Sequence, residues 1–328
     1  MKLNLYDTAL NRIAIIDSRF VSCLWQEKYN EKGSFTLELQ ATEEYKQKVR
    51  QDCYVGRTDR KTLMIIKSVI VENGLIKATG FTADRVLEDV AFIGTIPANT
   101  MVANAVKSSY NSSNKYPNVV IADSNITEKY SYQISNKSMY ELFETMCKET
   151  DTGFKAVKSG NLINIELYKP VENPNIRFSR AFGNLKDEKL TLSNQQYKNY
   201  AVVLGQGEAE NRVRVDVDLS NGNTHKEMIV DAKDLQQEDG ESLADYQSRL
   251  YARGVEKLLQ QVETINVSFT PLAADFGKKY DLGDIASVYM PEYKLSIKAR
   301  ITAFQQKKQK NKTTTTISVG SLTIIKRW

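Results

Sequence analysis

Apolar and polar residues alternate through most of the first ninety positions. In GSFTLELQ, Phe35, Leu37 and Leu39 fall on one face and Thr36, Glu38 and Gln40 on the other, the two-residue period of a strand buried on one side. KLNLY, RIAIID and VSCLWQEKY are predicted strands as well. TLMIIKSVIVE and LIKATGF flank Asn73-Gly74, a hairpin signal because both turn positions take positive φ. EEYKQKVR and TADRVLEDV punctuate this set as two short helices.

From about residue 93 the period lengthens. Val102, Val106 and Tyr110 recur at helical spacing behind Asn99, which is placed to cap them. Ser138 with Glu141 has the spacing of a capping box, and Met139, Leu142, Phe143 and Met146 share one face of the helix it would open. FKAVK and NLINIELYK around Ser159-Gly160 predict a hairpin, and KPVENPN closes the segment as a linker. Strand patterns then return. RVRVDVDL and THKEMIVDA flank Asn221-Gly222, a second hairpin signal, and Ser242 with Asp245 opens a helix striped with Leu243, Tyr246, Leu250 and Leu258. ETINVSFT and DIASVYM follow, then a long pair, KLSIKARITAF with TTTTISVGSL. In the first of that pair Leu295, Ile297, Ala299, Ile301 and Ala303 lie opposite Lys298, Arg300 and Thr302. The expected fold is therefore a β-rich α+β chain in three parts: a β-rich domain at 1–92, a mixed domain at 93–175, and a second β-rich domain at 176–328 with a helical insertion near 242–262.

Little in this pattern points to bond chemistry. AVVLGQGEAENRVRVDV begins like a nucleotide loop, strand then Gly205-Gln206-Gly207. A dinucleotide fingerprint needs a third glycine where Glu210 stands and a helix after it, whereas Arg212 to Leu219 alternates as a strand. A hairpin is the better reading. A chain of 328 residues with 41% hydrophobic and 26% charged residues is an ordinary multi-domain globular composition, and a net charge of +5 does not call for a nucleic-acid partner. Cys23, Cys53 and Cys147 lie too far apart for a zinc knuckle or a disulfide framework and are expected to be small buried hydrophobes. The single histidine, His225, leaves no material for a catalytic triad or a histidine metal cluster. No stretch has the length of a signal peptide core or a membrane helix, so neither export by that route nor membrane insertion is expected. Asp281 and Asp284, with Gly283 beside Asp284, suggest a turn into a strand more than a carboxylate pair. Lys307, Lys308, Lys310 and Lys312 crowd one hairpin tip, where charge would block edge pairing; a phosphate-binding finger is the alternative, and no aromatic interleaves them for base stacking. From the residues alone this is a multi-domain assembly or binding protein, with neither cofactor nor metal site indicated.

Three blocks in order, FSRAFGNLKDEKLTLSNQQYKNYAVVLGQGE, KEMIVDAKDLQQEDGESLADYQSRLYARGVEKL and YDLGDIASVYMPEYKLSIKARITAFQQKKQ, resemble the ReqiPepy-type tail protein family of long-tailed phages. LYDTALNRIAIIDSRFVSCLWQEKYNEKGSFTLELQAT resembles that family's opening, including the strand start at Gly33 and Phe35, although GFTADRVLEDVAFIG lacks the basic residues expected after the first-domain helix. The resemblance implies a baseplate hub, the N-terminal structural part of a tail-associated protein. In such hubs two barrel-like tube domains per subunit line a channel, and a homotrimer presents six similar domains to hexameric tail rings. It implies as partners a distal tail ring protein, other tail-tip or tape-measure proteins and DNA in transit, and a place at the virion tail tip after synthesis in the bacterial cytoplasm. One face of the hairpin at 294–322, with Leu295, Ile297, Ile301, Lys307, Lys308 and Lys310, is the candidate ring contact or channel wall. The chain reaches Trp328 without a receptor-binding or peptidoglycan-cleaving region, so no enzyme is expected of it. The rival readings are a carbohydrate-binding or hydrolytic module, for which Glu141, Glu144, Asp281 and Asp284 would supply acids, and the hub of a phage-derived contractile device.

Overall fold

Alternation becomes strand almost wherever the sequence shows it. The computed structural model describes residues 1–17, 20–261, 264–271, 276–310 and 312–327. The first segment forms β1 (Leu3–Tyr6), β2 (Arg12–Ile16), β3 (Phe20–Lys28), β4 (Glu31–Gln40), α1 (Glu43–Lys48), β5 (Tyr54–Arg57), β6 (Leu63–Glu72) and β7 (Leu75–Thr82), then a 3-10 helix, Ala83–Asp89. The middle segment forms β8 (Ala91–Ile96), β9 (Thr100–Met101), α2 (Val102–Ser112), β10 (Val119–Ile121), β11 (Lys129–Tyr130), β12 (Ile134–Ser138), α3 (Met139–Glu149), β13 (Gly153–Ser159), β14 (Leu162–Tyr168) and β15 (Glu172–Phe178). Then come β16 (Leu185–Ser193), β17 (Tyr200–Leu204), β18 (Arg214–Asp218), β19 (Glu227–Asp231), α4 (Leu243–Leu259), β20 (Thr264–Pro271), β21 (Ile285–Met290), β22 (Leu295–Gln309) and β23 (Lys312–Arg327).

Two compact units emerge, one of Met1–Glu188 with Val267–Trp328, the other of Lys189–Asn266. In the first, the main sheet runs β20-β23-β22-β3-β4-β7-β6-β5-β1-β2, and β21 branches from β22 to pair with β15. Asn73 (φ 50°) and Gly74 (φ 73°) turn β6 into β7 as the sequence demands. A parallel step, β10 on β14, sits beside the β13–β14 hairpin. Leu142, Phe143 and Met146 of α3 pack with Val102 and Val106 of α2 and with Phe154 of β13, in a core that also holds Leu63 and Ile65 of the first segment. The capping box forms in full, Ser138 with Glu141, and fixes where α3 starts. Among the described residues no helix is long and apolar enough to cross a membrane.

The second unit is the sheet β18-β17-β19 with α4 against it. Tyr246 and Leu250 of α4 are buried with Val203, Val217 and Val230. A Cβ at Gly254 would come within 2.6 Å of the side chains of Val203 and Val217, so the glycine permits the close approach of helix and sheet.

Three expectations are corrected. Asn99 is no cap: it sits at φ 62° and its N–H donates to Tyr130 O, because β9 pairs with β11 before α2 begins behind Met101. Asn221 (φ 50°) and Gly222 (φ 83°) do turn the chain, but β18 and β19 do not pair with each other. Both take β17 as neighbour, β18 antiparallel and β19 parallel, so the long loop carries the chain past a central strand. Leu243 belongs to no core stripe; it is 52% exposed in the first turn of α4.

Candidate functional site: the β22 ribbon and the Glu27 cleft

β22 is where the two β-rich parts of the chain meet. It pairs with β23 from Leu295↔Arg327 to Gln309↔Lys312, and on its other flank with β3 from Ala303↔Lys28 to Gln309↔Ser22. The residues singled out from sequence divide between two places. Leu295, Ile297 and Ile301 are buried within the chain, at 4%, 0% and 0% exposure, so their face is spent on packing. Across the strand, Lys298 pairs with Glu172 and Arg300 with Asp151 at 2.6 Å. At the far end Lys307 and Lys310 are exposed and, with Lys312, Gln309 and Thr314, line a shallow groove. Lys308 points elsewhere: its Nζ lies 5.2 Å from the centroid of the Phe20 ring. Edge blocking does not account for the lysines of β22, since that strand is paired on both sides to its last residue.

The strand beside it carries a charge where its apolar phase should continue. Cys23, Trp25 and Glu27 of β3 are all buried, Glu27 at 2% exposure. Its carboxylate accepts four hydrogen bonds: from Trp25 Nε1 at 2.8 Å, from Arg60 Nε at 2.5 Å and Nη2 at 2.8 Å, and from Thr62 Oγ1 at 2.8 Å. Burial alone pushes the Glu27 carboxyl up, but the Arg60 guanidinium and these donors outweigh it and hold the group below the usual carboxylate range. Arg60 is raised in turn: burial opposes its charge, and Glu27 more than offsets this. The guanidinium also lies 4.6 Å from the Phe276 ring and 4.8 Å from that of Phe304, two rings stacked at 4.4 Å. This pair borders a cleft of about 500 Å³ lined by residues that include Asp59, Lys61, Asp84, Lys155 and Tyr168. Sequence reading passed over it. The legible signal was a glutamate on the apolar phase of a strand, which needs a buried cation; which of 45 lysines and arginines supplies it depends on pairing across 33 residues.

The acids considered for hydrolysis have structural uses. Glu141 completes the capping box, and Glu144 pairs with Lys148 at 2.8 Å. Asp281 and Asp284 build the turn expected of them: Asp284 Oδ2 accepts from Asp281 N at 2.9 Å and its Oδ1 from Val171 N at 2.8 Å. Asp281 also lies 3.5 Å from Arg60. In the second unit two N–H groups of the Gly205-Gln206-Gly207 turn are engaged by the protein, Gly205 N with Val213 O at 2.8 Å and Gln206 N with Tyr246 Oη at 2.8 Å. The three cysteines are free and buried, and burial pushes the thiols of Cys23 and Cys147 up to about 12. Among the described residues no group of three or more His, Cys, Asp or Glu could hold a metal ion.

A β-rich chain whose candidate acids serve a turn, a cap and an ion pair, and whose β22–β23 ribbon joins its two β-rich parts, has the character of a structural component. Comparison with known proteins gives that class its content: a structural protein of the siphovirus-type phage tail or baseplate. The chain belongs to the family described as Siphovirus ReqiPepy6 Gp37-like protein, whose model matches residues 2–321. No curated protein sequence matches it. Among solved structures it is similar to the 43 kDa tail protein of prophage MuSo2 from Shewanella oneidensis, at TM-score 0.61 and 12% identity over 98% of both chains. It is also similar to the prophage tail protein gp18 of Listeria monocytogenes EGD-e, at TM-score 0.58 and 13% identity over 100% of this chain and 95% of that one. A chain of the p2 virion baseplate in its activated conformation matches at TM-score 0.52 and 12% identity, covering 98% and 99%. At these identities the likeness is one of fold.

Proposed function

We propose that this protein is the hub at the distal tip of a siphovirus-type tail: a homotrimeric ring that adapts hexameric tail rings to a threefold tip and opens to let DNA pass. In this reading 1–92 and 176–328 act as two tube-like domains and 93–175 as the mixed domain between them. The observation that carries it is the edge-to-edge pairing of β3 with β22, which sets strands of the first β-rich part beside strands of the second in one sheet. Three such subunits would offer six comparable faces, and a closed ring of this kind rests on heterologous contacts that return on themselves. Obligate contacts of that sort bury upwards of about 2,000 Å². The partners are then the distal tail ring protein and other tail-tip or tape-measure proteins, and the function is assembly and opening, without bond chemistry. The ribbon supplies the channel wall or ring contact: Leu295, Ile297 and Ile301 hold it in the sheet, Lys307 and Lys310 give its end a cationic character suited to passing phosphate, and Lys308 braces that end over Phe20.

Light scattering on the purified protein over a hundredfold concentration range tests the reading. A trimer, or a monomer converting to one, with a central channel in electron micrographs, is the expected result. A strict monomer that stays monomeric when mixed with the neighbouring tail ring protein would remove the hub.

A further inference from the structure

The cleft beside Glu27 contains one charge set that the protein leaves unanswered. Glu27 is matched by Arg60, Asp281 lies 3.5 Å from the same guanidinium, Asp59 takes a two-pronged contact from Arg57 at 2.6 and 2.9 Å, and Lys28 pairs with Glu31 at 3.2 Å. Three charged groups of the lining remain: Asp84, Lys61 and Lys155. Lys61 is exposed and has no carboxylate partner among the described residues, and Lys155 lies 5.0 Å from the centroid of the Tyr168 ring. Asp84 differs from both. It is only 4% exposed, it lines the cleft, and its Oδ1 has no hydrogen-bond partner. Burial opposes its charge, and the nearby Thr82 hydroxyl, which accepts from Gly33 N at 3.0 Å, and the N–H groups of Asp84 and Arg85 offset that only in part.

A buried carboxylate oxygen without a donor is costly, and burial pushes the Asp84 carboxyl up to about 6, so near neutral pH the group is ionised while its Oδ1 still lacks a donor. The neighbouring groups do not fill the gap. Lys32 is committed to Glu88 and lies 5.4 Å from the Tyr140 ring centroid, and the Tyr140 hydroxyl is itself buried without a partner. Any metal would need more ligands than the described residues gather here. An ammonium or guanidinium suits Asp84, and the two unmatched ammonium groups call for an anion on the same ligand, because a bare cation would meet their repulsion.

We infer that this cleft binds a small zwitterion, its ammonium or guanidinium on Asp84 and its carboxylate or phosphate on Lys61 and Lys155. A cavity of about 500 Å³ has room for such a molecule or for a charged peptide end. Because the ligand's cation requires ionised Asp84, affinity falls as pH drops from 7.5 through 6 to 5. The lining lies wholly within one compact unit, so the site needs no second copy of the chain to complete it.

Titrate the full chain with 4-aminobutyrate, 6-aminohexanoate and phosphoethanolamine, with butylamine and butyrate as single-charge controls, reading amide chemical shifts. At least one zwitterion should move residues around Asp84 and Lys155, bind about tenfold or more tightly than either control, and weaken by about tenfold in Asp84→Asn and in Lys61→Ala/Lys155→Ala. If phosphoethanolamine binds best, the anion is a phosphate; if an amino acid does, a carboxylate. Saturable binding to neither class, binding unchanged in Asp84→Asn, or butylamine matching the zwitterions would overturn the assignment. Thermal unfolding keeps the variants interpretable. Asp84→Asn removes an ionised group that burial disfavours, so it should unfold at a temperature no lower than the parent at pH 8.

Discussion

Two long hairpins, β6–β7 and β22–β23, end alike and are treated differently by the rest of the chain. Each turns through left-handed residues, Asn73 and Gly74 in one and Lys310 in the other. β7 is covered by β4 to its first residue, Gln40↔Leu75, but β6 loses its outer neighbour early: β5 pairs with it only from Gly56↔Leu63 to Tyr54↔Ile65. Past that point Ile70 and Val71 stand 52% and 55% exposed. β22 keeps a partner on both flanks to its tip, and the same kinds of apolar residue at Ile297 and Ile301 are fully buried. The difference teaches that neighbouring strands, more than the alternation of a strand itself, decide whether its apolar residues stabilise the fold.

The widest separation between the hairpins should appear when charge is placed on their apolar residues. Ile301→Asp buries an unpaired carboxylate and is expected to cost more than about 4 kcal/mol, enough to leave little folded protein, while Val71→Asp should change the unfolding free energy measured in urea by no more than about 0.5 kcal/mol. Equal effects would mean that the β6 tip is covered. Next in size is the brace beside β22. Glu27→Ala strands Arg60 in the interior and should cost about 3–5 kcal/mol, whereas Glu72→Ala at the open tip should be near neutral. Since the Glu27 carboxyl is held below its unfolded value, its contribution is present above that value and is lost as pH falls through the folded one. The parent should therefore lose stability on acidification more steeply than Glu27→Gln.

A smaller effect needs no substitution. Among the described residues, outward-facing amides along 67–72 of β6 have no strand to bond, while those of β22 from 303 to 309 face either β3 or β23. Hydrogen exchange should release the first set at low local opening energies and the second only with the sheet. Comparable protection in both would show that something covers β6 in solution.

The parts legible in the sequence are those fixed by local rules. Asn73-Gly74 demanded its turn, Ser138 and Glu141 their capping box, and the phase of Phe35, Leu37 and Leu39 their buried face. What failed needed a distant partner. Asn221-Gly222 made its turn, but β17 lies between the flanking strands, and no local rule reports which strand will insert. Asn99 lost its cap to a two-residue pairing with Lys129–Tyr130. The Glu27–Arg60 pair depends on β3 and the loop after β5 being brought together, so a period-two reading could flag Glu27 without finding its cation. For the lysines the count was legible and their directions were not: Lys307 faces the groove and Lys308 lies over Phe20.

That last contrast yields the finest test. Lys307, Lys310 and Lys312 carry exposed ammonium groups on one groove, and neutralising them removes little packing. Lys307→Gln and Lys310→Gln should each change stability by less than about 0.5 kcal/mol while lowering the slope of log affinity for duplex DNA against log salt by about 1 for each phosphate left without its ammonium. Lys308 is half-buried and its ammonium lies over the Phe20 ring, so Lys308→Gln should do the opposite, costing some stability and leaving the salt slope nearly unchanged. A slope that responds equally to all three would place Lys308 on the polyanion as well, and would make the whole end of the ribbon one electrostatic surface. A slope that responds to none would leave the ribbon's role to its packing alone, and any cationic lining of a channel would have to come from elsewhere in the chain.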